Sequence, residues 1–140
     1  MTLDVRIERA RLALKVALGV TAFLAGLDKF FNLLAVWPKY LSPAVVGLLP
    51  VSPETAMYVV GVIEMIVGLA LLGPFTRIAS LVACAWLLAI AANLVLAGGF
   101  LDVAVRDVVM AIAAGALFLL TDAHESVAAN SVRPAARSAA

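Results

Sequence analysis

Four long apolar stretches fill this chain, yet charges a bilayer should not tolerate lie inside them: Asp28, Lys29, Glu64, Arg106 and Asp107. The apolar fraction is 65%, against the roughly 45–50% of soluble domains. A soluble chain of 140 residues has no single core able to hide so much apolar surface, so lipid must cover the remainder. An ionisable group in hydrocarbon is costly and persists only when paired, hydrated or useful. The stretches therefore define the architecture, and the charges are where a function is to be sought.

The spans fall at about 12–34, 53–72, 77–97 and 101–120, each near the ~20 residues that cross a hydrocarbon core. The fold class is all-α, a transmembrane four-helix bundle, in a single domain over 1–125. Span one is too long for a cleavable signal peptide, and Asp28-Lys29-Phe30-Phe31 makes a poor cleavage site. Ser52-Pro53-Glu54 opens span two with a capping serine, a first-turn proline and an acid at the positive end of the dipole. Gly73-Pro74 ends it, and Gly98-Gly99 ends span three.

Segment 35–51, AVWPKYLSPAVVGLLPV, is too apolar for a solvated loop and too rich in proline for a long helix. Trp37 and Tyr40 are headgroup-level residue types. It reads as an apolar outer flap between helices 1 and 2; an ordinary hydrophobic connection lying on the bundle fits the same residues equally well. Segment 126–140, small and polar without periodicity, is expected to be a disordered C-terminal tail. Four spans place both termini on one side, with Arg6, Arg9, Arg11, Lys15, Arg77, Arg133 and Arg137. That side is expected to be cytoplasmic.

Several chemistries are excluded or unsupported. The net charge of +1 and the lack of a Lys/Arg run give no support to nucleic-acid binding. Cys84 is alone, so the chain has no internal disulfide and no dithiol motif. His124 is the one histidine, and the chain holds no ligand set for two haems or an iron–sulfur cluster and no metal site. Walker, HExxH and nucleophile-triad patterns are missing, and no catalytic residue can be named. Lys15 is placed to snorkel, Cys84 to pack as a small apolar group, and Ser80 to bond back to its own helix. Trp86 shares a face with Asn93, where packing is the simpler role and a pocket floor the alternative.

Depth arithmetic gathers the intramembrane polar groups into one layer. Asp28 and Lys29 lie about 8–9 Å inside the outer end of span one, and Arg106 and Asp107 about as far into span four. Asn93 sits near the outer end of span three, and Glu64 is deepest, about 15 Å from the start of span two. Glu64 shares its face with Gly61 and Gly68, so it should look to a closely packed neighbour. Asp28 shares a face with Thr21 and Asn32. Asp102 precedes Arg106 by four residues, the favourable order for an ion pair. Asp28, Lys29, Glu64, Asn93, Arg106 and Asp107 thus form the candidate ligand-binding or proton-handling set. The plain alternative is that Lys29 and Arg106 neutralise the acids and fix helix register, with no chemistry. Small residues should pack the bundle: Ala22 and Gly26, Gly61 and Gly68, Ala85 and Ala89, Ala111 and Gly115. The same spacing suits a homo-oligomer interface, though packing within the chain fits four spans better.

These residues bear a family resemblance. Gly26-Leu27-Asp28-Lys29-Phe30-Phe31, the run Gly61-Val62-Ile63-Glu64-Met65-Ile66-Val67-Gly68, then Thr76-Arg77 and Arg106-Asp107 resemble the DoxX-like family of small four-helix membrane proteins. The resemblance extends over roughly 16–120. It implies a bacterial inner (cell) membrane location. It also implies a link to membrane oxidoreductases or oxidative-stress complexes, in which some relatives look like subunits. It supplies no catalytic residues, and the chain itself holds no cofactor ligands.

Two readings follow. In one, the protein is an accessory subunit of a membrane redox or oxidative-stress system, binding a quinone-like small molecule in the outer half of the bundle. Lys29 or Arg106 would donate hydrogen bonds to a carbonyl, and Glu64 or Asp107 would exchange a proton. In the other it is a non-catalytic scaffold or assembly factor gripping another membrane or redox protein. A transporter is less attractive, because no inverted repeat or broken helix is visible. Membrane lipid is a partner in every case.

Overall fold

The computed structural model describes the backbone of residues 2–137 and side chains as far as Asn130. Its elements are α1 (Leu3–Asp28), a 3-10 turn (Trp37–Tyr40), α2 (Pro43–Leu48), α3 (Pro53–Leu72), α4 (Thr76–Ala97) and α5 (Leu101–Arg137). Helices α1, α3, α4 and α5 are long and apolar enough to span a bilayer. The chain is a transmembrane four-helix bundle, an integral multi-pass membrane protein. The termini lie at one end and the α1–α3 linker at the other, termed here the flap end.

The bundle is built from two close pairs, α1 against α3 and α4 against α5. Glycines set the first pair. A Cβ on Gly26 would stand 2.5 Å from the Gly61 carbonyl oxygen, and one on Gly68 would stand 2.7 Å from that of Gly19. Backbone cannot yield at such distances, so only glycine lets these helices touch, the route membrane helices use without a hydrophobic force between them. Alanines do the same for the second pair: Ala79, Ala83, Ala91, Ala104, Ala111 and Ala114 are buried. The pairs join through a core of Leu18, Leu71, Ala79, Ala83, Ala114 and Leu117. Ala85 and Ala89, expected to pack, are exposed. The alanines at 79, 83 and 91 occupy the inward face of α4 instead, and composition alone did not distinguish the two faces.

Helix boundaries agree where caps govern them. The Ser52 hydroxyl accepts a hydrogen bond from the Thr55 N–H at 3.2 Å and starts α3. Gly98, at φ 76°, closes α4 in a left-handed turn. Span one differs. It was expected to reach residue 34, but α1 ends at Asp28. The Asp28 carboxylate accepts from the N–H groups of Leu33 and Leu34, both at 3.0 Å, and Asn32 turns the chain at φ 52°. Asp28 and Lys29 therefore sit at a helix end, and the depth computed for them does not apply. At the other extreme α5 continues to Arg137, through most of the segment expected as a disordered tail; residues 138–140 of that segment lie outside the described residues.

The terminal end is held by polar ties. Lys15 Nζ donates to the Gly73 carbonyl at 3.0 Å, satisfying the end of α3. Arg77 pairs with Asp122 at 2.5 Å, and His124 approaches Glu8 at 3.5 Å. Ser80 bonds back to the Arg77 carbonyl, and Cys84 lies half-buried against Gly115.

Candidate functional site

At the flap end, the Gly26–Gly61 contact brings the first residue beyond α1 against the middle of α3. Glu64 lies three residues after Gly61, and Gly61, Glu64 and Gly68 are all buried toward α1. Lys29 reaches across, and its Nζ stands 2.5 Å from Glu64 Oε2. Both residues are buried, with 4% and 7% of their surface exposed. The ammonium also lies 3.5 Å from the Ala25 carbonyl, and the Trp37 ring covers it at 3.8 Å from the centroid. A buried lysine is tolerable when carboxylate, carbonyl and aromatic face all meet it.

The same tryptophan closes a loop of contacts. Its Nε1–H donates to Asp28 Oδ2 at 2.8 Å, while its backbone N–H reaches Asn32 Oδ1 at 3.3 Å. Asp28 is thus fully engaged by Trp37 and the turn after α1. Segment 35–51 folds over this assembly as short helical pieces. Asn93 on α4 holds it from the far side: Nδ2 donates to the Tyr40 carbonyl at 2.7 Å, and Oδ1 accepts the Ser42 N–H at 2.9 Å. The Tyr40 ring packs tilted against Phe100 with centroids 4.4 Å apart, and Ser42, which caps α2, is completely buried.

Two further polar groups lie on the α4–α5 side of the ion pair. The Trp86 indole N–H is buried and turned toward Glu64, in electrostatic contact but short of a full hydrogen bond. Asp107 is half-buried, without a hydrogen bond or ion pair among the described residues, and lies within electrostatic range of Arg106, Glu64 and Lys29. Of the six residues singled out in the sequence, Lys29 and Glu64 meet, and Asp107 lies within electrostatic range of both without touching either. Asp28 and Asn93 instead fasten the turn and the flap. Arg106 is exposed, and the favourable spacing from Asp102 produces no ion pair among the described residues. Thr21, expected on the Asp28 face, is exposed as well.

Sequence reasoning gave Trp37 only an interfacial role and Trp86 mainly a packing one. The Trp86 contact depends on α3 and α4 folding together, and the Trp37 contacts on the turn that ends α1. The spacing of Trp37 nine residues after Asp28 was the one available hint. Apolar grooves open on the surface between α4 and α5, lined by Ala91, Leu101, Ala104 and Val108 among others, and between α3 and α4. Neither has a polar lining residue. Among the described residues, no cluster of His, Cys, Asp and Glu has metal-holding geometry.

No curated protein and no solved structure matches the chain. The DoxX family model matches residues 10–121, which take in the four spans, the flap and every residue of the polar cluster. On that match, over most of its length, the chain belongs to the DoxX family.

Proposed function

We propose that the protein is an accessory, ligand-binding subunit of a membrane redox or oxidative-stress system. In this reading it lies in a bacterial inner membrane with both termini cytoplasmic. Its site is the cluster of Lys29, Glu64, Trp86 and Asp107 beneath the flap. One observation carries the reading. Near the mutually neutralised pair, among the described residues, are a buried donor with no full hydrogen bond, the Trp86 N–H, and a half-buried acceptor with none, Asp107. A quinone-like molecule offers a carbonyl to such a donor and, when reduced, a hydroxyl to such an acceptor. A ligand of that kind is oriented by a few polar groups within otherwise apolar surroundings. Proton exchange would fall to Asp107, which makes no hydrogen bond or ion pair among the described residues, rather than to Glu64. The redox link itself comes from the family resemblance.

A specific observation also favours the scaffold reading. Lys29, Glu64 and Asp28 all satisfy one another or the flap, as expected of groups that hold helices in register. In that case the partner is another membrane or redox protein, or a second copy of the chain.

Native mass spectrometry on protein purified gently from its own membrane, with extraction of bound small molecules, separates the two. A quinone-like molecule retained by the wild type and lost in Trp86→Phe and Asp107→Asn supports the ligand site. An empty protein carrying a stoichiometric partner supports the scaffold.

A further inference from the structure

The flap is attached to the bundle in an uneven way. On its N-terminal side it is tied to the end of α1 through contacts local in sequence, Trp37 with Asp28 and Lys29. On the other side its hydrogen bonds to a distant helix both come from one side chain, Asn93, which is 53 residues from Tyr40 and 51 from Ser42. The segments joining the flap to α1 and α3 contain no regular element, and Leu33, Leu34 and Val36 within the first are exposed. The flap's own helical pieces are four and six residues long, too short to be stable unless held. Beneath it lies the sealed Lys29–Glu64 pair.

We infer that segment 37–48 is a lid on the ion pair and that Asn93 is its latch. The amide suits that task because it donates to one backbone group and accepts from another, replacing two hydrogen bonds the flap would otherwise make with water. Releasing it leaves the flap with no hydrogen bond to a distant helix, held by the Tyr40 ring on Phe100 and by Trp37 at the α1 end. When those ring contacts give way in turn, the flap swings about residues 35–36, Trp37 lifts from Lys29, and water or a small molecule reaches the pair from the flap end. The lid deepens the ligand-site reading by supplying its entrance, yet its opening can be measured whether or not any ligand binds.

Ser42 is completely buried beneath the latch, and Cys84 is the chain's one native thiol. These give a direct test in phospholipid nanodiscs, where both faces meet solvent. A Ser42→Cys variant is treated with a charged, membrane-impermeant thiol reagent, and labelling at each cysteine is followed by peptide mass. Adding Asn93→Leu removes both hydrogen bonds and should speed labelling at position 42 by at least about tenfold, with the Cys84 rate unchanged. Asn93→Asp keeps the acceptor for Ser42 and loses the donor to Tyr40, so its rate should fall between the two. Equal rates at position 42 in all three proteins would overturn the lid. So would parallel labelling of Cys84, because Asn93 would then be holding the bundle together.

Discussion

Lys29 and Glu64 meet across α1 and α3 at 2.5 Å, both almost wholly removed from solvent, at the point where Gly26 and Gly61 let the two backbones touch. The glycines and the charges form one device. Close approach makes the pair short, and the pair fixes which turn of α3 faces the end of α1.

Removing either charge alone strands the other. Lys29→Met and Glu64→Leu, made singly, should each destabilise the protein by about 3–5 kcal/mol, whereas the double variant should recover most of the loss. Thermal unfolding in mild detergent checks this. Additive losses in the double variant would show that the two side chains are not energetically coupled.

The glycines should separate sharply by position. Gly26→Ala puts a methyl 2.5 Å from a carbonyl oxygen, while Gly115→Ala meets nothing nearer than Cys84 Sγ at 3.9 Å. Membrane abundance and melting temperature should fall for the first, by about 1–3 kcal/mol in stability, and stay close to wild type for the second.

Trp37 has two separable functions. Trp37→Phe keeps an aromatic face over Lys29 but loses the N–H to Asp28, a hydrogen bond to a carboxylate worth about 1.5–3 kcal/mol. Trp37→Ala loses both and should cost more. A melting series of wild type, Phe and Ala should descend in that order; coincident values for Phe and wild type would remove the indole N–H from the account.

Orientation follows from the basic residues gathered at the terminal end. Reporter fusions at both termini should report a cytoplasmic location, and Arg6→Glu with Arg9→Glu and Arg11→Glu should raise the fraction of inverted molecules. A periplasmic signal from the unaltered chain would reverse the assignment.

The spans were legible because hydropathy over about 20 residues is a local property of the chain, and the ends of α3 and α4 because Ser52, Gly73 and Gly98 act on their own neighbours. The end of α1 was not. The run 28–34 follows a long apolar helix without a glycine or proline, and the capture of the Leu33 and Leu34 amides by Asp28, with the left-handed turn at Asn32, stops it. The inward face of α4 was missed for a related reason. Alanines lie all round that helix, so which of them pack is settled by α5.

By itself the sequence determined the bilayer as solvent, the number of spans, and the presence of charges within the apolar stretches. Each of these follows from the composition of contiguous segments. Tertiary structure alone decided which charge meets which, that Asp28 and Asn93 hold the flap, and that Arg106 faces outward. Those outcomes depend on the rotation of each helix about its axis. That rotation is fixed by contacts such as Gly26 on Gly61 and Asn93 on Ser42, whose partners lie 35 and 51 residues apart in the chain.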